Sequence, residues 1–216
     1  MKIVPDKNDE TEEDESRVIK YIDDRMIQTP PIALASTIKE VSRMGEKARY
    51  SVDHAIEGIL EASTDAIEKS FKQEKIINQL QKTILNYLLK LSKAPLSEED
   101  RETVDALFNT VNDIERIGDH AENIVELAIN KFNNNIELSN EALKEIEEIS
   151  NVTLESLDIA IKCFKEKECK DNIIVNELIN IPEVDYNSCA KLLFKLARQV
   201  LDKFATYLSE EDIKNV

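Results

Sequence analysis

The chain has 216 residues and a formal net charge of −16, with 33% charged and only 5% aromatic side chains. Three glycines and five prolines leave few sharp turns, which argues against a β-sandwich or barrel and for long amphipathic helices. So acidic a chain offers no broad basic face to nucleic acid, and no run of about 18 apolar residues is present to span a membrane.

Residues 1–16, "MKIVPDKNDETEEDES", are acidic and nearly free of apolar side chains after Val4, the composition of a flexible linker or tail. A short lead-in helix is expected at about 17–27. Pro30 and Pro31 then suit the first turn of a new helix. Ile38, Val41, Ala48, Val52, Ala55, Ile56 and Ile59 recur at helical spacing, which predicts a helix over about 32–61. "STD" at 63–65 reads as a capped break. A second helix is expected over about 66–92, with Ile67, Phe71, Ile76, Ile77, Leu80, Ile84, Tyr87, Leu88 and Leu91 as its stripe.

Ser97 with Asp100 resembles a capping box at the start of a third helix, about 98–131. "NNN" at 133–135 ends it. A fourth helix is expected over 139–166. The pattern then weakens into one short helix, a stop at Pro182, and a last helix over about 186–208. About six helices with short connections imply an all-α antiparallel bundle. The domain reading is a linker at 1–16, a first three-helix unit with its lead-in at 17–131, and a second, degenerate unit at 132–216.

The third helix holds the unusual stretch, "VNDIERIGDHAENI" (111–124). At 100° per residue, Val111, Ile114, Ile117, Gly118, Ala121, Ile124, Val125 and Ala128 share one broad side. Glu115, Asp119, Glu122 and Glu126 form a line on another face, with Asn112 and Asn123 near its edge. Like charges four apart repel by a few tenths of a kcal/mol per exposed pair. Such a stripe is ordinarily a solvated face. The other reading is a cation site, because hard cations gather carboxylate and amide oxygens. Gly118 costs up to about 1 kcal/mol in a helix relative to Ala, and its place at the edge of the buried side suggests close approach of a neighbouring helix.

"NDIERIGDHAENI" resembles the signature of PhoU-like proteins, a carboxylate, Arg, a spacer and Asp, then Asn four residues later; here these are Glu115, Arg116, Asp119 and Asn123. "EVSRMGEKARYSVDHAI" (40–56) is similar to the family's first helix, with its Met44-Gly45 step. "EKIINQLQKTI" (74–84) is similar to its second-helix motif, with Glu74 and Asn78. The resemblance covers about 32–131. It implies an all-α fold of two related three-helix bundles, regulation of phosphate uptake at a membrane transporter, and a homo-oligomer. It also implies a metal site, with Fe or Zn, on Glu115, Asp119, Asn123 and Glu74.

"KYIDDRMIQTPPIALASTIKEVSRMGE" (20–46) is similar to the segment that leads into the cytoplasmic PhoU-like domain of bacterial Na/phosphate cotransporter-family proteins. That resemblance implies a cytoplasmic domain at the inner face of the membrane, with the transporter's membrane domain as a partner in cis. A free-standing regulator and a metal-free helical dimerisation module are the alternatives. The chain departs from the pattern in two places. Gln81 stands where the second-helix motif has an acid. In the second half, "LLFKLARQVLDKF" (192–204) fits the signature at Arg198, but Ala197 and Leu201 replace its two acids.

No other constellation carries chemistry. His120 lies about 140° from Glu115 on the wheel, too far to share an ion, and His54 stands alone. Cys163, Cys169 and Cys189 fit neither a disulfide framework nor a CxxC site, so reduced thiols are expected. No phosphate loop or nucleophile–base pair is present, and the chain reads as a regulator rather than an enzyme.

Overall fold

Thr29 is the joint on which the first long helix begins. Its backbone is non-helical, its side chain makes no cap bond, and Pro30 and Pro31 follow at the first two helical positions. Proline there forfeits only an N–H that has no intrahelical partner. In the computed structural model, which describes residues 18–166 together with Arg198, Gln199 and Leu201, four long helices follow. They are α1 (Pro30–Glu61), α2 (Thr64–Leu91), α3 (Glu98–Asn133) and α4 (Asn140–Glu166). No strand occurs among the described residues.

Each boundary has a local cause. α1 stops at Ala62, which takes the left-handed conformation at φ 54°. Ser63 then caps α2 by accepting the Ala66 N–H at 3.2 Å. Ser97 caps α3 by accepting the Asp100 N–H at 3.1 Å, and Glu98, Glu99 and Asp100 place negative charge in the first turn, where the helix dipole favours it. Asn135, at φ 52°, follows the end of α3, and Ser139 caps α4 through the Ala142 N–H at 3.1 Å.

α1 is the central helix. Sixteen of its 32 residues are buried, and it packs against α2, α3 and α4, whereas α2 and α3 also pack on each other. Every residue of the stripe expected for α1 is buried, as is the whole apolar side expected for α3. In α2, Ile67, Phe71 and Ile76 are only partly buried, and the rest of the stripe is in the core.

Small residues set the close approaches. Ser51 and Ser70 bond reciprocally across α1 and α2: their hydroxyls lie 3.0 Å apart, and each hydroxyl reaches the other's carbonyl at 3.2 and 3.0 Å. A Cβ at Gly58 would stand 2.9 Å from Ile67 Cγ1. A Cβ at Gly118 would stand 3.2 and 3.3 Å from Cδ1 and Cγ2 of Ile77. The glycine inside the acidic stretch therefore admits α2 to the face of α3.

The expected lead-in helix at 17–27 is not formed. Residues 18–23 run as an irregular segment, followed by a short 3-10 helix at Asp24–Gln28. The cause is Glu40 of α1, which is fully buried. Its Oε2 accepts the main-chain N–H groups of Lys20 and Tyr21 at 3.0 and 2.5 Å, and Asp23 is extended at φ −146°, ψ 134°. Cys163, expected as a reduced thiol, is instead disulfide-bonded. The short helix and the last helix expected beyond 166 lie outside the described residues, except that Arg198, Gln199 and Leu201 are helical. No helix is long and apolar enough to cross a membrane among the described residues.

The Gly118 contact predicts a graded response. Gly118→Ala gains helix propensity of up to about 1 kcal/mol but presses on a side chain that can give by a few tenths of an ångström, so urea denaturation should show a change within about 1 kcal/mol. Gly118→Val drives a branched side chain into Ile77 and should destabilise the protein by about 2 kcal/mol in the same measurement.

Candidate functional site: a carboxylate patch between α2 and α3

α2 and α3 face each other through Ile77 and Gly118, and the acids next to that contact meet at the same level. Glu74 is one helical turn before Ile77 and 7% exposed. Asp119 follows Gly118, and Glu115 lies one turn earlier on α3; both are half-buried. The carboxylates interact across the interface. Burial pushes the Glu74 carboxyl above the usual range, and the charges of Glu122, Asp119 and Glu115 push it further. Glu115 is raised by burial and then by Asp119. Asp119 is raised by burial, while His120 and Arg116 pull it back. Each carboxylate thus sits where its charge is disfavoured.

Neutral donors replace part of the missing solvent. Asn78 Nδ2 donates to Glu74 Oε1 from one turn along α2. Gln81 Nε2 donates to Asn112 Oδ1 at 3.2 Å across the interface, and its amide also lowers the Glu115 pKa. Gln81 stands where the resembling motif has an acid. Here a neutral donor eases Glu115, where a further carboxylate would add to the repulsion.

Of the four residues expected to form a metal site, Glu74, Glu115 and Asp119 come together electrostatically. Asn123 does not join them as a buried donor and is exposed to solvent. Among the described residues, no three His, Cys, Asp or Glu side chains form a group able to hold a metal ion. The donor chemistry suits a hard cation, but the arrangement stops short of a ligand set. Glu122, placed in the stripe by periodicity, has a role that the wheel alone did not reveal: it is the strongest charge acting on Glu74. His54 is engaged elsewhere, stacked on Tyr50 with ring centroids 4.0 Å apart.

The equivalent position in the second half, Arg198, forms an ion pair with Asp113 of α3 at 3.2 Å, with both side chains mostly buried. Leu201 is fully buried. In place of the signature's acid is a core side chain. A separate concavity of about 210 Å³ opens at the C-terminal ends of α1 and α3, lined by Ile59, Ala128, Lys131 and Phe132 among others. Lys131 Nζ donates there to the Ile59 carbonyl at 2.8 Å, and burial lowers its pKa. Its role is a cap on the last turn of α1.

Comparison with known proteins bears on this region directly. Residues 41–128 match the model of the PhoU domain, a span that holds most of α1, all of α2 and the whole carboxylate patch. The chain is also similar to the phosphate-specific transport system accessory protein PhoU homolog of Clostridium acetobutylicum, at 29% identity over 170 residues that cover 71% of this chain and 76% of that protein. No solved structure matches.

The patch makes stability depend on pH with a defined sign. Folding raises the pKa values of Glu74, Glu115 and Asp119 above their ordinary 4.5, 4.5 and 3.8. The folded state therefore binds protons more readily than the unfolded chain, and the charged patch lowers stability as pH rises through the raised values. Below the ordinary values this contribution vanishes. Glu115→Gln should raise the Tm by about 1–3 °C at pH 7.5, and the advantage should fade by about pH 4 in thermal melts followed by circular dichroism.

Proposed function

We propose that this chain is a PhoU-like regulatory domain that modulates phosphate transport through protein contacts, without catalysing a reaction. The observation that carries this reading is the coincidence of three features over 41–128: the family match, the packed α1–α3 unit and the carboxylate patch. The similar clostridial protein is named for a phosphate-specific transport system. The proposal extends to a cytoplasmic domain at the inner face of the membrane, acting on the membrane domain of a Na/phosphate cotransporter-type protein in cis. This extension rests on the resemblance of residues 20–46. A homo-oligomer is part of the same reading, and light scattering on the purified chain tests it.

Two forms of the reading differ in whether a metal takes part. The metal-dependent form places Fe or Zn on Glu115 and Asp119, with Glu74 and Asn123 completing the set, and it is supported by the mutual repulsion of the carboxylates. The metal-free form treats the bundle as a contact surface alone. It is favoured by the lack of a three-ligand group among the described residues. In both forms the output is a change in what the helices touch.

A cellular assay tests the regulatory reading. In a bacterial host that lacks its own phosphate-transport accessory protein and shows constitutive phosphate-starvation reporter activity, expression of the chain should restore repression at high phosphate. A folded, expressed chain that leaves the reporter unchanged would count against it. Inductively coupled plasma mass spectrometry on the purified protein beside Glu115→Ala/Asp119→Ala separates the two forms. More than about half an equivalent of Fe or Zn per chain, lost in the double variant, selects the metal-dependent form. Protein that stays metal-free after incubation with either metal selects the other.

A further inference from the structure

Residues 18–28 are held to the bundle in an unusual way. The 3-10 helix Asp24–Gln28 buries no residue. Val18, Ile19, Ile22, Met26 and Ile27 lie only partly buried against the core. The firm ties are polar, and they converge on few atoms. Glu40 Oε2 accepts two consecutive main-chain N–H groups, those of Lys20 and Tyr21. Arg43, bonded to Glu40 Oε1 at 2.7 Å, donates from Nη2 to the Val18 carbonyl at 2.5 Å. On α2, Tyr87 donates its hydroxyl to the Asp23 carbonyl at 3.1 Å, and Lys90 pairs with Asp24 at 2.5 Å.

We propose that residues 18–28 form a releasable strap, held by the Glu40–Arg43 pair, that detaches and rebinds as one unit across the ends of α1 and α2 while the bundle stays folded. The inference stands on these contacts and is independent of the phosphate reading. Concerted release follows from the convergence. Because one carboxylate oxygen serves both N–H groups, losing one tie leaves the buried charge under-satisfied and weakens the other. The strap is therefore docked, or else it is out and replaced by water at Glu40 and Arg43, with no stable halfway state. Thr29 and the two prolines behind it supply the hinge. A residue before proline is biased away from helical backbone, so α1 cannot extend through the joint to absorb the strap. Such polar-tied segments belong to the low-stability end of local opening. Opening uncovers the core side chains against which Val18, Ile19, Ile22, Met26 and Ile27 pack.

Hydrogen exchange followed by mass spectrometry on the full chain tests this. In the wild type, peptides covering 18–28 should exchange at least about tenfold faster than peptides from the middles of α1 and α2. Glu40→Gln should speed strap exchange by about tenfold more and leave the helix middles unchanged. Strap exchange locked to that of the helix middles in the wild type would overturn the proposal, as would a folded Glu40→Gln protein with unchanged strap exchange. Should Glu40→Gln fail to fold, Tyr87→Phe/Lys90→Ala removes only the ties from α2. It should speed strap exchange by about threefold or more, and no change there would also overturn the proposal.

Discussion

Everything in this bundle depends on α1 being packed on several sides at once. A helix with one buried stripe can carry charge on the rest of its surface; α1 has less of that surface to spare, because α2, α3 and α4 share it and half of its residues are buried. Its sequence meets that constraint with small residues. Ala48, Ser51, Ala55 and Gly58 fall at steps of three and four and are all buried, so neighbouring backbones come close. Polar groups on the buried faces are consumed locally: Thr37 and Ser42 bond back to Ala33 and Ile38 carbonyls at 2.8 and 2.9 Å, and Ser51 is matched by Ser70. Glu40 is the exception. A fully buried carboxylate needs a cation and hydrogen-bond donors, and it obtains them from Arg43 and from the segment that precedes α1.

The negative charge of the chain is distributed along the same logic. Among the described residues, most acids lie on exposed faces, and several are paired, such as Asp53 and Asp158 with Arg49 at 2.6 and 3.1 Å and Asp65 with Lys69 at 2.6 Å. Arg49 joins α1 to α4 in this way, and Lys165 with Glu46 does the same further along. The patch on α2 and α3 differs because its acids face one another. Repulsion there is relieved by Asn78, Gln81 and Arg116, which are amides and an exposed cation, and only in part.

The sequence made the helices legible because periodicity over 25 to 35 residues is a strong signal. Gly118 could be read as a contact point from its place beside Ile117 and Ala121, and the patch could be read from the spacing of Glu115, Asp119 and Glu122. The partner across the interface was less accessible. Glu74 entered through its motif, but that Glu122 is its main electrostatic neighbour depends on how two helices are set side by side, which a wheel of one helix does not contain. The lead-in segment misled for a related reason. "RVIKYIDDRMI" has helix-forming residues, yet its conformation is decided by a carboxylate 19 and 20 residues away, a tertiary override of local preference. A signal was nevertheless present: Ala33, Thr37, Glu40, Met44 and Ala48 lie on one helical line, which puts Glu40 among core positions where a charge must find partners. Cys163 shows the same limit, since bonding of a thiol depends on which residue the fold brings to it.

The patch and the core contact are one arrangement. Ile77 and Gly118 fix the distance between α2 and α3, and Ser51 with Ser70 pins α2 to α1. The acids one turn from Ile77 therefore cannot move apart to relieve their repulsion without opening a close-packed contact, and such contacts resist small displacement. What remains is to change the charge itself, by protonation, by a cation, or by a donor from another molecule that lies across α2 and α3. Packing thus holds the acids at a separation that favours whichever of these arrives. That is the sense in which a buried glycine, with no side chain and no charge, sets the electrostatic character of the face beside it.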